Sequence, residues 1–404
     1  MKTSTLSFIT LFAGFIGAAQ GQELGCQFPT FRIKEVEKSL GVGYAVRIAD
    51  VNNDKKQDIV VVDRRRVVWY ENPSWKRRTI IQDATKPDNV CIAVHDIDGD
   101  GKVDFALGAG WNSGTKKSAP IYWLKRKDSL EQSWDVHPIG EEPSVHRMQF
   151  IDLHGTGTKQ LVVVPLQGRN CTSKKNWTDG QPVRIIAYTI PEDPTSDRWR
   201  ATILDQSLYV VHNFCRVPVK TNGSALLTAS YLGLHIVNPK DTDAKSATPL
   251  HPANQENPNG SRGASEIAAG NHKKNRFLAT IEPWHGNQVV VYTQIQTGPK
   301  RRVIDDRLQQ GHAVACVDVD GAGIDEIIVG SRDDFDENNK QGVRLYKAGT
   351  KYDGHWTRHV MDHGGIAVED LVVGDLNNDG KPEIVAVGRR THNMRIYWNQ
   401  GNKK

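Results

Sequence analysis

The sequence predicts an all-β chain built as a seven-bladed β-propeller, and three observations carry that prediction. An aspartate-rich motif recurs as DVNNDKKQD from Asp50, DIDGDGKVD from Asp96, DVDGAGIDE from Asp318 and DLNNDGKPE from Asp375. Each copy runs straight into a short stretch of Val, Ile, Leu or Ala. A repeat this local cannot bury its own apolar face, so the copies must pack against one another. Second, helical periodicity is nearly absent, and short β-branched and aromatic runs alternate with Gly, Asn and Asp turns. Third, degenerate copies fill the gaps. FIDLHGTGTKQLVVVP starts a turn at Asp152, RVPVKTNGSALLTAS at Pro218 and EIAAGNHKKNRFLATIEP at Ala268. The seven turns then stand 46 to 66 residues apart, room for four short strands each. Radial closure of such units removes exposed sheet edges, which an open solenoid would have to cap.

Taken in chain order, residues 1–21 read as a secretory signal peptide. Lys2 precedes an apolar stretch from Leu6 to Ile16, then Gly17, Ala18 and Ala19. The expected mature propeller spans 22–404, secreted or periplasmic. FRIKEVEKSLG, from Phe31, is a spare strand that can serve as the outer strand of the seventh unit and clasp the ring. Within a unit one strand enters the acidic turn and a second leaves it. A third ends in an aromatic pattern, as in VVWYENP, VVVYT, VRLYKA and MRIYWNQ. The fourth carries Trp or Arg, as in SWKRRTII, RWRATIL and HWTRHVM. No later segment reaches the length and apolarity of a membrane span. Five cysteines (26, 91, 171, 215 and 316) show no metal-binding spacing; their odd count leaves at least one thiol free in a monomer, and one disulfide is possible. The net charge of +5 comes from scattered Lys and Arg without a recognition helix, which argues against nucleic acid.

Oxygen ligands at offsets 0, 2, 4 and 8 around a turn can wrap a hard divalent cation, calcium first. Three sets are full: Asp50, Asn52, Asp54 and Asp58; Asp96, Asp98, Asp100 and Asp104; Asp375, Asn377, Asp379 and Glu383. The sixth unit keeps Asp318, Asp320 and Glu326 around Ala322. The plainer reading is that Asp and Asn cap the turns through the backbone. In either case the turns are structural and lie off the central axis.

Six places before each turn stand Tyr44, Val90, His146, His212, Arg262, His312 and Glu369. A propeller brings equivalent positions of its innermost strands around one axis. A purely structural ring would repeat small apolar residues, whereas this one holds three His, an Arg, a Glu and a Tyr. Glu266 can add a carboxylate nearby. His146, His212 and His312 form the first expected ligand set for a central zinc acting as a Lewis acid. Glu369 is a candidate base or ligand, and Tyr44 a candidate acid. Arg262, Arg332 and Arg389 are candidates to hold a carboxylate or oxyanion. His285 follows FLATIEP, and Arg169, Asn170, Arg390 and His392 end or follow other strands. The polar insertions 170–183 and 240–261 flank the His units and are candidate specificity loops.

The DxDGDGxxD-plus-strand unit resembles the FG-GAP/VCBS repeats of integrin-like propellers, which specify a fold and not a function. HRMQFIDL, VVHNFCRV, GASEIAAG, EPWHGNQVVVY and GHAVACVDVDG, with WYENP, narrow the resemblance. Together they resemble the propeller domain of the aldos-2-ulose (anhydrofructose) dehydratases. That resemblance implies zinc in the propeller, elimination of water from keto-sugars, and His146, His212, His285 and His312 in or around the metal pocket. The further cupin-like domains usual in that family have no counterpart in the sequence. The expected activity is a zinc-dependent carbon–oxygen lyase acting on a keto-sugar, keto-glycoside or uronide. The alternatives are a non-catalytic, calcium-stabilised propeller that binds carbohydrate or protein, and a metal-dependent glycoside hydrolase.

Overall fold

A computed structural model describes residues 27–219, 223–239, 244–349 and 355–402. The signal segment and Cys26 lie outside the described residues. Among the described residues there are seven four-stranded antiparallel sheets, and six follow sequence order from the innermost strand outward. The innermost strands are Ala45–Ala49, Cys91–His95, Val145–Ile151, Val211–Pro218, Glu266–His272, Gln309–Val317 and Val368–Gly374. Each touches its neighbours, and Ala45–Ala49 also meets Val368–Gly374, so the ring closes. The seventh sheet takes its outer strand from the N-terminus: Phe31–Glu37 pairs antiparallel with Met394–Asn399. Among the described residues no helix is long and apolar enough to cross a membrane. Cys91, Cys171, Cys215 and Cys316 are free thiols.

The continuous apolar runs follow from this layout. A second strand lies between two neighbouring blades and is buried on both faces, so it does not alternate. Ile59 to Val62 are all fully buried. The core is therefore a set of inter-blade layers. One layer joins Val60, Val62 and Trp69 of the first blade to Phe105, Leu107 and Trp134 of the second.

The aromatic ends of the third strands have a polar purpose. Glu37, Asp305 and Asp362 lie at or just past the end of one blade's outer strand. Each accepts a hydrogen bond from a tyrosine hydroxyl of the next blade: Tyr70 at 2.8 Å, Tyr346 at 2.8 Å and Tyr397 at 2.7 Å. An arginine of that next blade completes each contact: Arg77 at 2.9 Å, Arg358 at 3.2 Å and Arg395 at 2.8 Å. Glu37 belongs to the clasp strand, so this contact bolts the closing seam. Burial opposes the charge on Glu37, but hydrogen bonds from Ser39 and Tyr70 outweigh it and bring the carboxyl from its ordinary 4.5 down to about 2. The folded value lies below the unfolded one. The stabilisation is therefore complete above pH 4.5 and is lost as the pH falls towards 2. Glu37→Gln is expected to be less stable than wild type near neutrality, and denaturant titrations should show that gap closing in acid.

In the acidic turns the carboxylates bind the turn itself. Asp50 accepts the N–H groups of Asp54 and Lys55, and Asp375 those of Asp379 and Gly380. Asn52 and Asn377 accept from the same two aspartate N–H groups. The buried residue at offset eight ties the turn to the second strand. Asp58, Asp104, Glu326 and Glu383 accept the N–H of Val51, Ile97, Val319 and Leu376. Neutral Gln160 makes the same bond to Leu153 in the third blade, so the position works as a backbone acceptor without charge. Two sets bring possible ligand oxygens within 4.8 Å of one another: Asp96, Asp98 and Asp104, and Asp318, Asp320 and Glu326. Lysines occupy part of both sets, Lys125 on Asp98 and Lys347 on Asp320. Asp54, Asp100 and Asp379 likewise pair with Lys56, Lys102 and Lys381.

Candidate metal centre and central cavity

Four of the seven innermost strands carry a bulge at one register. Their pairing steps from Val145 to Arg147, from Val211 to Asn213, from Gly311 to Ala313 and from Val368 to Asp370. The residue skipped each time is His146, His212, His312 or Glu369. A bulge leaves one residue outside the ladder and re-aims its side chain. These four polar groups accordingly gather at one mouth of the channel.

The other blades keep a regular register. Tyr44, Val90 and Ser265 occupy the matching place, each giving its N–H to the second strand at 2.9 Å. The fifth blade thus corrects the expected ring, for its member is Ser265 and not Arg262. The innermost strand there continues to His272 and turns through Lys273 and Lys274, past the expected turn at Ala268. Arg262 instead lies over the Tyr231 ring, 4.8 Å from its centroid.

His285 enters from the loop after the second strand of the fifth blade. The loop is tight: a Cβ on Gly286 would meet the Glu282 carbonyl carbon at 2.2 Å, and His285 itself has a φ of +50°. Its Nε2 stands 2.8 Å from His212 Nε2. Ring nitrogens of His212, His285 and His312 all fall within 4.8 Å of one another. His146 stands beside this trio. Its ring centroid is 4.6 Å from that of His212, but its Nδ1 is engaged by the His212 carbonyl at 3.0 Å. Among the described residues the cluster of three imidazoles is therefore His212, His285 and His312, with His285 in the place expected for His146.

Burial holds all four imidazoles well below their ordinary 6.5, and nearby arginines add to the effect. They are neutral near neutrality, as nitrogen ligands must be. Beneath them, Glu266 Oε1 lies 2.8 Å from His212 Nδ1, close but off the hydrogen-bond axis. Burial pushes Glu266 up to about 7, against the pull of Arg147 and Asn213. His312 Nδ1 is held by the Glu369 carbonyl at 2.5 Å, which puts the ring's lone pair on Nε2. Arg332 meets that Nε2 at 2.5 Å and Glu369 Oε1 at 2.6 Å. Arg389 joins Glu369 at 3.1 Å and covers the Tyr44 ring. Tyr44 donates to Asp88 at 3.0 Å, and burial with that carboxylate lifts its hydroxyl to about 12.

Tyr44, His146, His285, His312, Arg332, Glu369 and Arg389 line a cavity of about 270 Å³ whose other walls include Trp111, Trp177 and Trp284, with His212 fully buried behind them. Trp284 follows FLATIEP beside His285 and was legible as a loop residue near the ring, whereas Trp111, Trp177 and Arg147 were missing from the expected site. Trp177 had a signal, since it is the one tryptophan of the polar insertion 170–183. Arg169, Arg390 and His392 turn elsewhere, to Ser118, Gln341 and the Gly41 carbonyl.

The fold is that of a seven-bladed propeller, and residues 50–107 match the FG-GAP-like repeat model. Residues 118–295, which hold His146, His212 and His285, match the family described as aldos-2-ulose dehydratase, beta-propeller domain. The aldos-2-ulose dehydratase of Phanerodontia chrysosporium is 25% identical over 252 residues. That match covers 56% of this chain and 27% of the dehydratase, so the chain spans about a quarter of that relative's length. The chain is thus similar to the propeller part of a dehydratase. Among solved structures, BBS1N in complex with ARL6DN, soaked with mercury, superposes with a TM-score of 0.55 at 11% identity, over 92% of this chain and 97% of that one. The mitotic checkpoint complex gives 0.53 at 13%, over 98% and 99%. These two likenesses speak for the propeller fold alone.

Proposed function

We propose that the protein is a carbohydrate carbon–oxygen lyase whose central site holds zinc on His212, His285 and His312. The observation that carries this reading is the convergence of three neutral imidazoles, two buried and one half-buried, beside a carboxylate clamped by two guanidiniums. The residues fit the ion. Zinc takes imidazole nitrogens at about 2.0–2.1 Å and leaves a position open in catalytic sites. Three nitrogens within 4.8 Å can share such a centre after side-chain adjustments, in which Arg332 turns off His312 Nε2 and keeps its hold on Glu369. When bound, zinc supplies a Lewis acid that polarises a sugar carbonyl and acidifies the adjacent C–H. Glu369, anchored by Arg332 and Arg389, takes that proton. The same arginines face the oxygen that gains charge. Tyr44, raised to about 12, stays protonated near neutrality and can hand its proton to the departing oxygen. The tryptophan walls exclude water and offer flat apolar faces to a sugar ring. Calcium in the acidic turns belongs to the same proposal as a brace for the blades, not as part of the chemistry.

The test is product analysis. Keto-sugars, keto-glycosides and uronides are incubated with zinc-loaded protein, and the products are weighed by mass spectrometry. An unsaturated product, short by one water or one alcohol, is expected. Products carrying an added water would replace elimination by hydrolysis, and no turnover of any class would leave a binding propeller.

Glu266 sets a further expectation. Glu266 stands 2.8 Å from His212 Nδ1, and a small rotation brings it onto that N–H; a carboxylate so bonded behind a ligating imidazole fixes its tautomer and raises its basicity, and its loss costs about 10–100-fold in metal affinity. Glu266→Gln is expected to weaken zinc binding by that factor in a chelator competition, with the propeller still folded by circular dichroism.

A further inference from the structure

The central cavity shares a wall with a second one. Trp284 and His285 line both the histidine cavity and a neighbouring compartment of about 350 Å³. The far side of this compartment carries Ser261, Asn287, Gln309, Gln310 and Phe335. Three features distinguish it. No Asp, Glu, Lys or Arg lines it, whereas Arg147, Arg332, Arg389 and Glu369 line the histidine cavity. Phe335 is 43% exposed there, one of four large apolar side chains left in the open among the described residues. Its hydrogen-bonding groups are amides and a hydroxyl. Asn287 spends its amide N–H on the Asp306 carbonyl and keeps its oxygen. Gln310 is held at a left-handed φ of +52° on the compartment wall.

An uncharged pocket with aromatic faces and amide groups matches a neutral polyol ring. Apolar faces meet the C–H side of the ring while a few placed polar groups read its hydroxyls. An anionic sugar would find no cation in it. From this we infer that the second compartment is a subsite for a neutral sugar unit. The substrate is then a glycoside of at least two rings, laid across Trp284, with its reacting ring at the histidines. This rests on the carbohydrate reading above and narrows it, placing a free monosaccharide second and a contiguous polyuronide last.

The test compares binding without turnover. Methyl glucoside and the neutral disaccharides maltose, cellobiose and laminaribiose are titrated into the zinc-loaded full chain by calorimetry. At least one disaccharide is expected to bind about tenfold more tightly than methyl glucoside, the scale of one good aromatic contact. Phe335→Ala and Gln310→Ala, each made separately, are expected to reduce that disaccharide to the monosaccharide level and leave methyl glucoside unchanged. Equal binding of one- and two-ring sugars overturns the subsite while the carbohydrate reading stands. A disaccharide preference that survives both variants also overturns it, by placing the second ring elsewhere. No binding of any sugar removes the subsite and weakens the carbohydrate reading with it.

Discussion

His212→Ala is expected to empty the central site and abolish turnover. His212 touches more of the cluster than any other member: its ring packs on His146, His285 and His312 at 4.6, 4.7 and 4.9 Å. It also connects the cluster to Glu266 below. Removing it leaves two of the three converging nitrogens, too few for a catalytic zinc site, which uses three protein ligands. Elemental analysis after mild removal of weakly held calcium should find about one zinc per wild-type chain and almost none in the variant. His146→Ala is the informative partner. His146 lies outside the trio whose nitrogens all fall within 4.8 Å of one another, so most of the metal should remain. Equal loss in both variants would return His146 to the ligand set.

Glu369→Gln is expected to lower kcat by about 10²–10⁴, the usual contribution of a positioned base, with zinc content near wild type. The amide keeps the shape and one acceptor for Arg332 but takes no proton. Glu369 is 4% exposed and bound by two guanidiniums, so an alanine would also strand buried charge and confuse stability with chemistry. Rapid-quench measurement of the chemical step separates the cases. A full-rate variant would make Glu369 a structural anchor for the two arginines.

The sequence made much of the fold legible because each blade repeats one local solution. The acidic turn, the doubly buried second strand and the tyrosine of the third strand recur at spacings a reader can align. Even the clasp showed as a strand without a partner. The fifth blade failed for a physical reason: its turn is a two-residue hairpin of lysines, with no acidic signature to fix the register, and so Arg262 stood where Ser265 belongs. The bulges were invisible as such, since one unpaired residue leaves no trace in composition, yet the histidines they expose were counted at the right register in three blades. His285 lies off that register, on a loop, and stood out in the sequence only as a polar group following FLATIEP and through the resemblance to the dehydratases. Trp111, Trp177 and Trp284 come from loops of three different blades, and no local pattern joins them before the ring closes.

The central claim is the place of the metal. Anomalous diffraction at the zinc edge, on crystals of the purified protein, tests it most directly. One strong peak is expected among His212, His285 and His312, beside Glu369. A peak confined to the acidic turns, with none at the histidines, would contradict it.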